Sequence, residues 1–365
     1  MSGGRAYGAV VGAVAAAGAI GPEQLEHYRR ELTGYCYRML GSIHEAEDAV
    51  QDTMLRAWRA LATFEDRTGL RPWLYRIATN VCLDMLKHRS RRALPMDVAP
   101  VATSEARRGD ARPESTWIQP APDSLILPDD PAERAVSRES VRLAFIAALQ
   151  HLAPRQRAVL ILRDVLRWRA EEVAVLLETS ADAVNSTLRR ARVALSTVDA
   201  APAATQPSEA DRELLSAYVD AFHRHDVDAL VALLRDDAII EMPPFDFWLQ
   251  GREDIRRWLI AVDAFSDHLL TPVNANGSAA AAVYRPQTPG GPPTVFAIHV
   301  LDVVAGRISA STRSATRRCS NGSAFPSTRV PRPAAPSRRF PRPGGLPRST
   351  CHSNTGTGVR RGRVR

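Results

Sequence analysis

EAEDAVQDTMLRAW, residues 45–58, and LRPWLYRIATNVCLDMLKHRSRR, residues 70–92, decide the reading of this 365-residue chain. At about 100° per residue, Ala46, Val50, Thr53, Met54, Ala57 and Leu61 fall on one side of a first helix and form a buried stripe. Ser42 and Glu45 stand before it at capping-box spacing, which satisfies two backbone N–H groups left over at a helix start. Asp48, Gln51, Asp52, Leu55 and Arg59 gather on the opposite side. Such a face is ordinarily just solvated, but a leucine in its middle points to a docking surface. Pro72 fits the first turn of a second helix, where a missing N–H costs nothing. Leu74, Ile77, Ala78, Val81 and Met85 make its core stripe. Trp73, Arg76, Asn80 and Lys87 fall opposite, with Arg89, Arg91 and Arg92 just beyond. Cations attract phosphate, an aromatic ring supports an unstacked base, and asparagine reads a base edge. That face suits an opened DNA strand.

Residues 138–198 read as four helices: Ser140 to Leu152, Pro154 to about Leu166, Ala170 to Leu177, and Asp182 to Thr197. A short helix, the tight turn Glu178-Thr179-Ser180 and a longer helix make a helix-turn-helix pattern. Val184, Leu188, Ala191 and Leu195 face inward, and Asn185, Ser186, Arg189, Arg190 and Arg192 point outward. Such side chains bond phosphates and base edges in a major groove, each good bidentate base contact being worth about 1–3 kcal/mol. Taken alone, this module also reads as a small helical bundle with a basic surface. Residues 93–137, between the modules, have scattered Pro, few apolar residues and no periodicity. A linker of that length is either disordered or functional.

Together these segments resemble bacterial RNA polymerase sigma factors of the extracytoplasmic-function (ECF) group, with region 2 over residues 23–92 and region 4 over residues 138–198. The resemblance implies two all-α domains, with core RNA polymerase (β′ clamp and β flap) and promoter DNA as partners. It makes Asp48, Gln51, Asp52 and Leu55 clamp contacts. It makes Phe64, Arg67, Leu70, Arg71, Trp73, Arg76, Asn80 and Lys87 contacts to the −10 element, with residues 64–70 as the loop that captures a flipped base. It makes Ser180, Asn185, Ser186, Arg189, Arg190 and Arg192 contacts to the −35 element. It also implies that the linker threads toward the active-site cleft and RNA exit path. Two departures stand out: where members usually have Gly, this chain has Arg167 and Glu178. Both places favour a left-handed backbone, which costs a residue with a Cβ about 1 kcal/mol.

A third part follows. Ser208 stands as the cap of a helix, DRELLSAYVDAFHRHDVDALVALL. Strand-like AIIEM, a loop PPFDFWLQG, a helix from Glu253 to Phe265, then AAAAVYR and TVFAIHVLDVVAGRIS come after it. A long helix ahead of short strands is an α+β pattern. Over residues 208–310, HDVDALVALLRDDAIIEMPP, FWLQGREDI and VLDVVAGRI resemble the SnoaL-like domain, a cone of the NTF2/ketosteroid-isomerase type. In sigma factors with this fusion the domain is taken to regulate promoter-complex formation. A small ligand is a further partner the cone implies, and His223, His225, Asp246, Trp248 and His299 are candidates to line it. No catalytic acid falls at a known family position, so the chain is not read as an enzyme, and no cofactor or metal is expected. Three readings compete: a promoter-specificity factor, a helix-turn-helix regulator that binds DNA without polymerase, and a fused isomerase-like enzyme. Only the first accounts for the Asp48/Asp52/Leu55 face.

Cys36, Cys82, Cys319 and Cys351 lack metal-ligand or disulfide-framework spacing. Within residues 1–22, the run from Ala6 to Gly21 behind Arg5 is Ala/Gly/Val-rich and faintly resembles a signal peptide. Residues 1–22 read instead as a flexible extension or a misplaced start, because a polymerase partner makes the chain cytoplasmic and not membrane-bound. Residues 311–365 carry thirteen Arg and no Asp or Glu, and without those arginines the net charge of +8 becomes −5. The basic balance therefore belongs to the tail, which reads as disordered. Lys87 is the sole lysine among 48 basic residues, the mark of a GC-rich coding sequence, and a GC-rich frame read out of phase yields such an Arg/Pro/Ser composition. Shifted by one base, residues 311–329 permit DPVGDPALFERFGLPVDPG, and members of the group commonly end in a similar acidic-aromatic peptide. The hypothesis is a frameshift near residue 310, in the gene or in its sequencing, which would leave the cone without its last strand and with an exposed sheet edge. Resequencing across codon 310 tests it: a one-base discrepancy is expected, and a confirmed uninterrupted frame in related strains contradicts it.

Overall fold

The computed structural model describes residues 21–64, 69–87, 89–196, 209–262, 268–286, 288 and 291–315. Ser208, residues 65–68 and residues 316–365 of the Arg-rich tail lie outside that set. A first helical module comprises α1 (Pro22–Glu26), α2 (Arg29–Leu40), α3 (Ile43–Ala60) and α4 (Leu70–Leu86). The expected stripes hold: Ala46, Val50, Thr53 and Ala57 of α3 are buried, as are Leu74, Ala78 and Val81 of α4. Ser42 caps α3, its hydroxyl accepting from the Glu45 N–H at 3.3 Å. The return half of the capping box is not made with Glu45, whose carboxylate instead takes Arg92 at 2.6 Å and also Arg89. α2 is buried on nearly every side. Gly34 is the reason it can approach so closely: a Cβ there would lie 2.5 Å from the Ile126 carbonyl oxygen.

Residues 93–137 are ordered, with short helices α5 (Asp123–Ile126) and α6 (Pro131–Ser137). Their polar groups find partners along a sheet: Ala102 N–H donates to the Trp248 carbonyl at 2.9 Å, and Trp248 Nε1 to that of Ala99 at 2.8 Å. Arg112 pairs with Asp246 at 2.7 Å. Of the two alternatives for the linker, disorder is therefore excluded for these residues.

The second helical module contains α7 (Leu143–Gln150), α8 (Pro154–Leu160), α9 (Ala170–Leu176) and α10 (Ala181–Ser196). α8 runs on into a π-helical turn over Ile161–Val165. Arg167 and Glu178 do sit at left-handed φ, 61° and 54°.

The third part has α11 (Glu209–His223), α12 (Val227–Ala232), β1 (Leu234–Glu241), β2 (Trp248–Gln250), α13 (Arg252–Ala261), β3 (Leu269–Ala275), β4 (Ser278–Pro286), β5 (Pro293–Val304) and β6 (Arg307–Ala315). One sheet of order β2-β1-β6-β5-β4-β3 results, antiparallel except for the β1–β6 pair. The frameshift argument expected the cone to lack its last strand, and here the structure differs. Ser311 to Ala315 continue β6, which is paired on both sides, to β1 and to β5. The short β2 and the proline-bearing β3 are the edges instead. Two residues of this stretch fit poorly all the same. Arg313, 9% exposed, leaves Nε and Nη2 unpartnered, and the Ser311 hydroxyl is likewise buried without a partner.

Both faces of the sheet are covered, which explains its run of alanines: Ala280, Ala281 and Ala282 are fully buried. One face, with Ala281, Val283, Ala297 and Leu301, packs on Tyr218, Phe222 and Trp258. The other, with Ala280, Ile298 and Val300, joins the core of the two helical modules. The β3–β4 turn, Asn276-Gly277, is driven into those modules. Asn276 is fully buried; its Nδ2 donates to the Tyr37 hydroxyl at 2.7 Å and the Val141 carbonyl at 2.6 Å, and its Oδ1 accepts from Ala121 N–H at 2.8 Å. Gly277 has φ 67°, and a Cβ on it would meet the Arg138 carbonyl at 2.7 Å.

Glu241 lies on the same side, buried, accepting from the Met96 N–H at 3.3 Å and the Thr312 hydroxyl at 3.2 Å. Burial pushes its carboxyl from the ordinary 4.5 up to about 7, and Asp97 and Asp302 push the same way. Between those values the folded chain keeps a proton that the unfolded chain has lost, so this group's contribution falls as pH rises through the window and then levels off. Glu241→Gln should therefore gain stability over the parent above pH 7, by up to about 3 kcal/mol, with the gain shrinking toward pH 4.5. Denaturant melts of both proteins across that range check it, and a pH-independent difference contradicts it.

Candidate nucleic-acid interface

The outer face of α3 is open. Asp48 and Gln51 are exposed, Asp52 is half-buried and holds Arg56 at 2.8 Å, and Leu55 is 43% exposed. Trp58 adds to this patch at 62% exposure. Sequence reasoning passed over it, although it stands one turn from Leu55. An apolar pair flanked by carboxylates is a surface with a large non-polar payload and a defined charge, the combination that anchors a protein partner.

α4 presents a different face. Phe64 and Trp73 pack ring to ring, centroids 4.6 Å apart. Asn80 is exposed one helical turn past Arg76. Three of the expected basic contacts are ion-paired within the chain. Arg71 Nε donates to Glu31 at 2.7 Å and its guanidinium lies 5.5 Å from the Trp168 ring centroid. Lys87 donates to Asp84 at 2.8 Å on its own helix. Leu70 is partly buried against the core, and Arg67 lies outside the described residues. Arg76 is ion-paired with Glu178, in the tight turn of the second module. Trp168, buried, contacts Tyr75 with ring centroids 4.9 Å apart. The two modules are thus packed together along α4, with part of its polar face against the helix-turn-helix.

On α10, Val184, Leu188 and Ala191 are buried as expected. Ser180 serves as a cap, accepting from the Ala183 N–H at 3.2 Å. Asn185, Arg189 and Arg190 are exposed and Ser186 is half-buried. Arg192 is held by Asp164 at 2.6 Å, which raises its guanidinium pKa further.

The five residues suggested for a ligand in the cone do not converge. Asp246 and Trp248 bond the linker, and His225 is exposed. His223 is also exposed and accepts from the Leu270 N–H at 2.9 Å through Nε2. His299 alone is deep inside, 3.0 Å from the Tyr218 hydroxyl, and burial holds it well below its ordinary pKa, in the neutral form. Among the described residues there is no cluster fit for a metal ion, and no helix is long and apolar enough to cross a membrane.

Two helical modules with a helix-turn-helix, joined to an NTF2-like cone, define a multidomain DNA-directed protein. Family models agree: Sigma-70 region 2 matches residues 25–92, Sigma-70 region 4 residues 142–195, and the SnoaL-like domain residues 215–311. The ECF RNA polymerase sigma factor SigG of Mycobacterium tuberculosis is 47% identical over 297 residues, 78% of either chain. The probable ECF sigma factor SigI of the same organism is 27% identical over 77% of this chain and 88% of its own. A crystal structure of M. tuberculosis SigJ shares the fold, with a TM-score of 0.54 and 22% identity, over 81% of this chain and 97% of that one. The chain belongs to the ECF RNA polymerase sigma factors and carries a C-terminal SnoaL-like domain.

Proposed function

We propose that the chain binds core RNA polymerase through the outer face of α3 and directs it to promoters, with α4 and the loop before it reading the −10 element and α10 the −35 element. The observation that carries this reading is the exposed Leu55–Trp58 pair set among Asp48, Gln51 and Asp52, a surface that a DNA-only regulator has no use for. Such a partner places the protein in the cytoplasm.

The promoter-facing side is less accessible than the polymerase-facing side. Arg76 is engaged by Glu178 and α4 is packed on the second module. Reading a −10 strand with Arg76 and Asn80 requires that module to move away. The linker and the sheet hold the packed arrangement, through Asn276 and through the Arg142–Asp302 ion pair. The SnoaL-like domain accordingly acts as a built-in regulator of promoter engagement. No catalytic role is assigned to it, since its strongly perturbed carboxyl, Glu241, faces the linker and not the cone.

In pull-downs of core polymerase with the full chain, Asp52→Arg should abolish capture and Leu55→Ala should weaken it by about tenfold, the scale of an interface hot spot. Arg76→Ala should leave capture intact while lowering run-off transcription. Undiminished capture by Asp52→Arg would refute the clamp assignment.

A further inference from the structure

At the end of α4, where the linker passes the corner between α7 and α8, lies a half-open cleft of about 490 Å³. Arg89, Arg91, Arg92 and Arg157 line it against one acid, Glu45. Glu45 is already shared by Arg89 and Arg92. Arg91 has an imidazole where a carboxylate would be expected, 2.6 Å from Nδ1 of His151. Arg157 is 4% exposed; its Nη1 and Nη2 donate to neutral oxygens, the carbonyls of Met39, Gln150 and Leu152 and the Gln150 amide, and its Nε is buried without a partner. Its charge is uncompensated, and burial lowers its pKa to about 10. Four guanidiniums against one carboxylate leave the cleft strongly positive, and its volume is that of a small-molecule site. Arg89, Arg91 and Arg92 stand just beyond the −10 contacts of α4, and none of the four arginines is among the residues assigned to polymerase or promoter.

We propose that this cleft binds a small phosphate-bearing anion, of the oligophosphate or nucleotide class. Guanidiniums meet phosphate oxygens in bidentate pairs, and the Ser115 hydroxyl on the linker wall supplies a neutral donor. A duplex is the weaker candidate. Arg89 and Arg91 at the rim are exposed, but Arg92 and Arg157 are only 6% and 4% exposed and lie too deep for phosphates on a stiff double helix. The walls come from region 2, the linker and region 4, so the occupant bridges all three and favours the packed arrangement over the opened one.

The test needs neither polymerase nor promoter, so it stands apart from the transcription assays. The full chain is titrated with inorganic pyrophosphate, and separately with a nucleoside triphosphate, at constant ionic strength, by calorimetry and thermal unfolding. Saturable binding at one site per chain with a raised Tm is expected. Arg89→Ala/Arg91→Ala, both at exposed positions, should bind about tenfold more weakly for each arginine lost, while Arg256→Ala, on α13 of the SnoaL-like domain, should bind as the parent does. Tighter binding of the nucleotide than of pyrophosphate assigns the nucleotide class, and equal binding assigns the bare oligophosphate. Absence of saturable binding by both probes overturns the proposal. So does undiminished binding by the double variant, or a double variant whose only loss is in affinity for duplex DNA.

Discussion

The buried amide of Asn276 joins three parts of this chain that are far apart in sequence. It bonds Tyr37 of region 2, Ala121 of the linker and Val141 at the entry to region 4. A polar side chain withdrawn from water is costly unless its hydrogen bonds are made, and here both of its ends are satisfied. The constraint works in both directions: removing Asn276 leaves a buried Ala121 N–H and a Val141 carbonyl without these partners. The close approach at Gly277 and the alanines of β4 let the sheet come near enough for the turn to reach in.

From that anchor the functional asymmetry follows. The sheet's back face completes a core shared with both helical modules, so region 4 is held against α4 and its turn meets Arg76. The outer face of α3 lies away from these contacts and stays open. On the proposed function, a protein arranged this way would meet polymerase with α3 ready and α4 partly engaged. Opening would have to break buried polar contacts, among them the Arg38 bonds to Ser140 at 2.8 and 3.2 Å. Interfaces of this kind switch between discrete arrangements, not by continuous deformation.

Much of this was legible in the sequence, because helical periodicity reports directly on which side of a helix is buried. The stripes of α3, α4 and α10 and the exposed Leu55 follow from local rules, and the left-handed backbone at Arg167 and Glu178 follows from the resemblance, which puts Gly at both places. What the sequence did not disclose were contacts between distant segments. Glu45 has the spacing of a capping box, yet two arginines some forty residues later compete for its carboxylate and win. Asn276-Gly277 is a strong local hairpin signal, but nothing local says that its side chain would be buried in another domain. The linker looked structureless because its order comes from hydrogen bonds to the sheet and not from its own periodicity. The five polar residues proposed to line the cone were scattered for the same reason, since Asp246 and Trp248 are recruited by that linker. β6 shows the opposite error. Residues of unpromising composition are drawn into a central strand by the pairing available on both sides, at the cost of a buried arginine with two unsatisfied nitrogens.

The central claim, that the Asn276 turn holds the SnoaL-like domain, linker and both sigma modules in one packed arrangement, is tested most directly by hydrogen exchange on Asn276→Gly. That change keeps the positive φ available and deletes only the amide side chain. The account predicts that protection falls by about tenfold or more, the scale of a lost buried hydrogen bond, at Ala121 and along the linker, while the amides in the middle of α3 keep theirs. Unchanged protection at Ala121 and through the linker would contradict it.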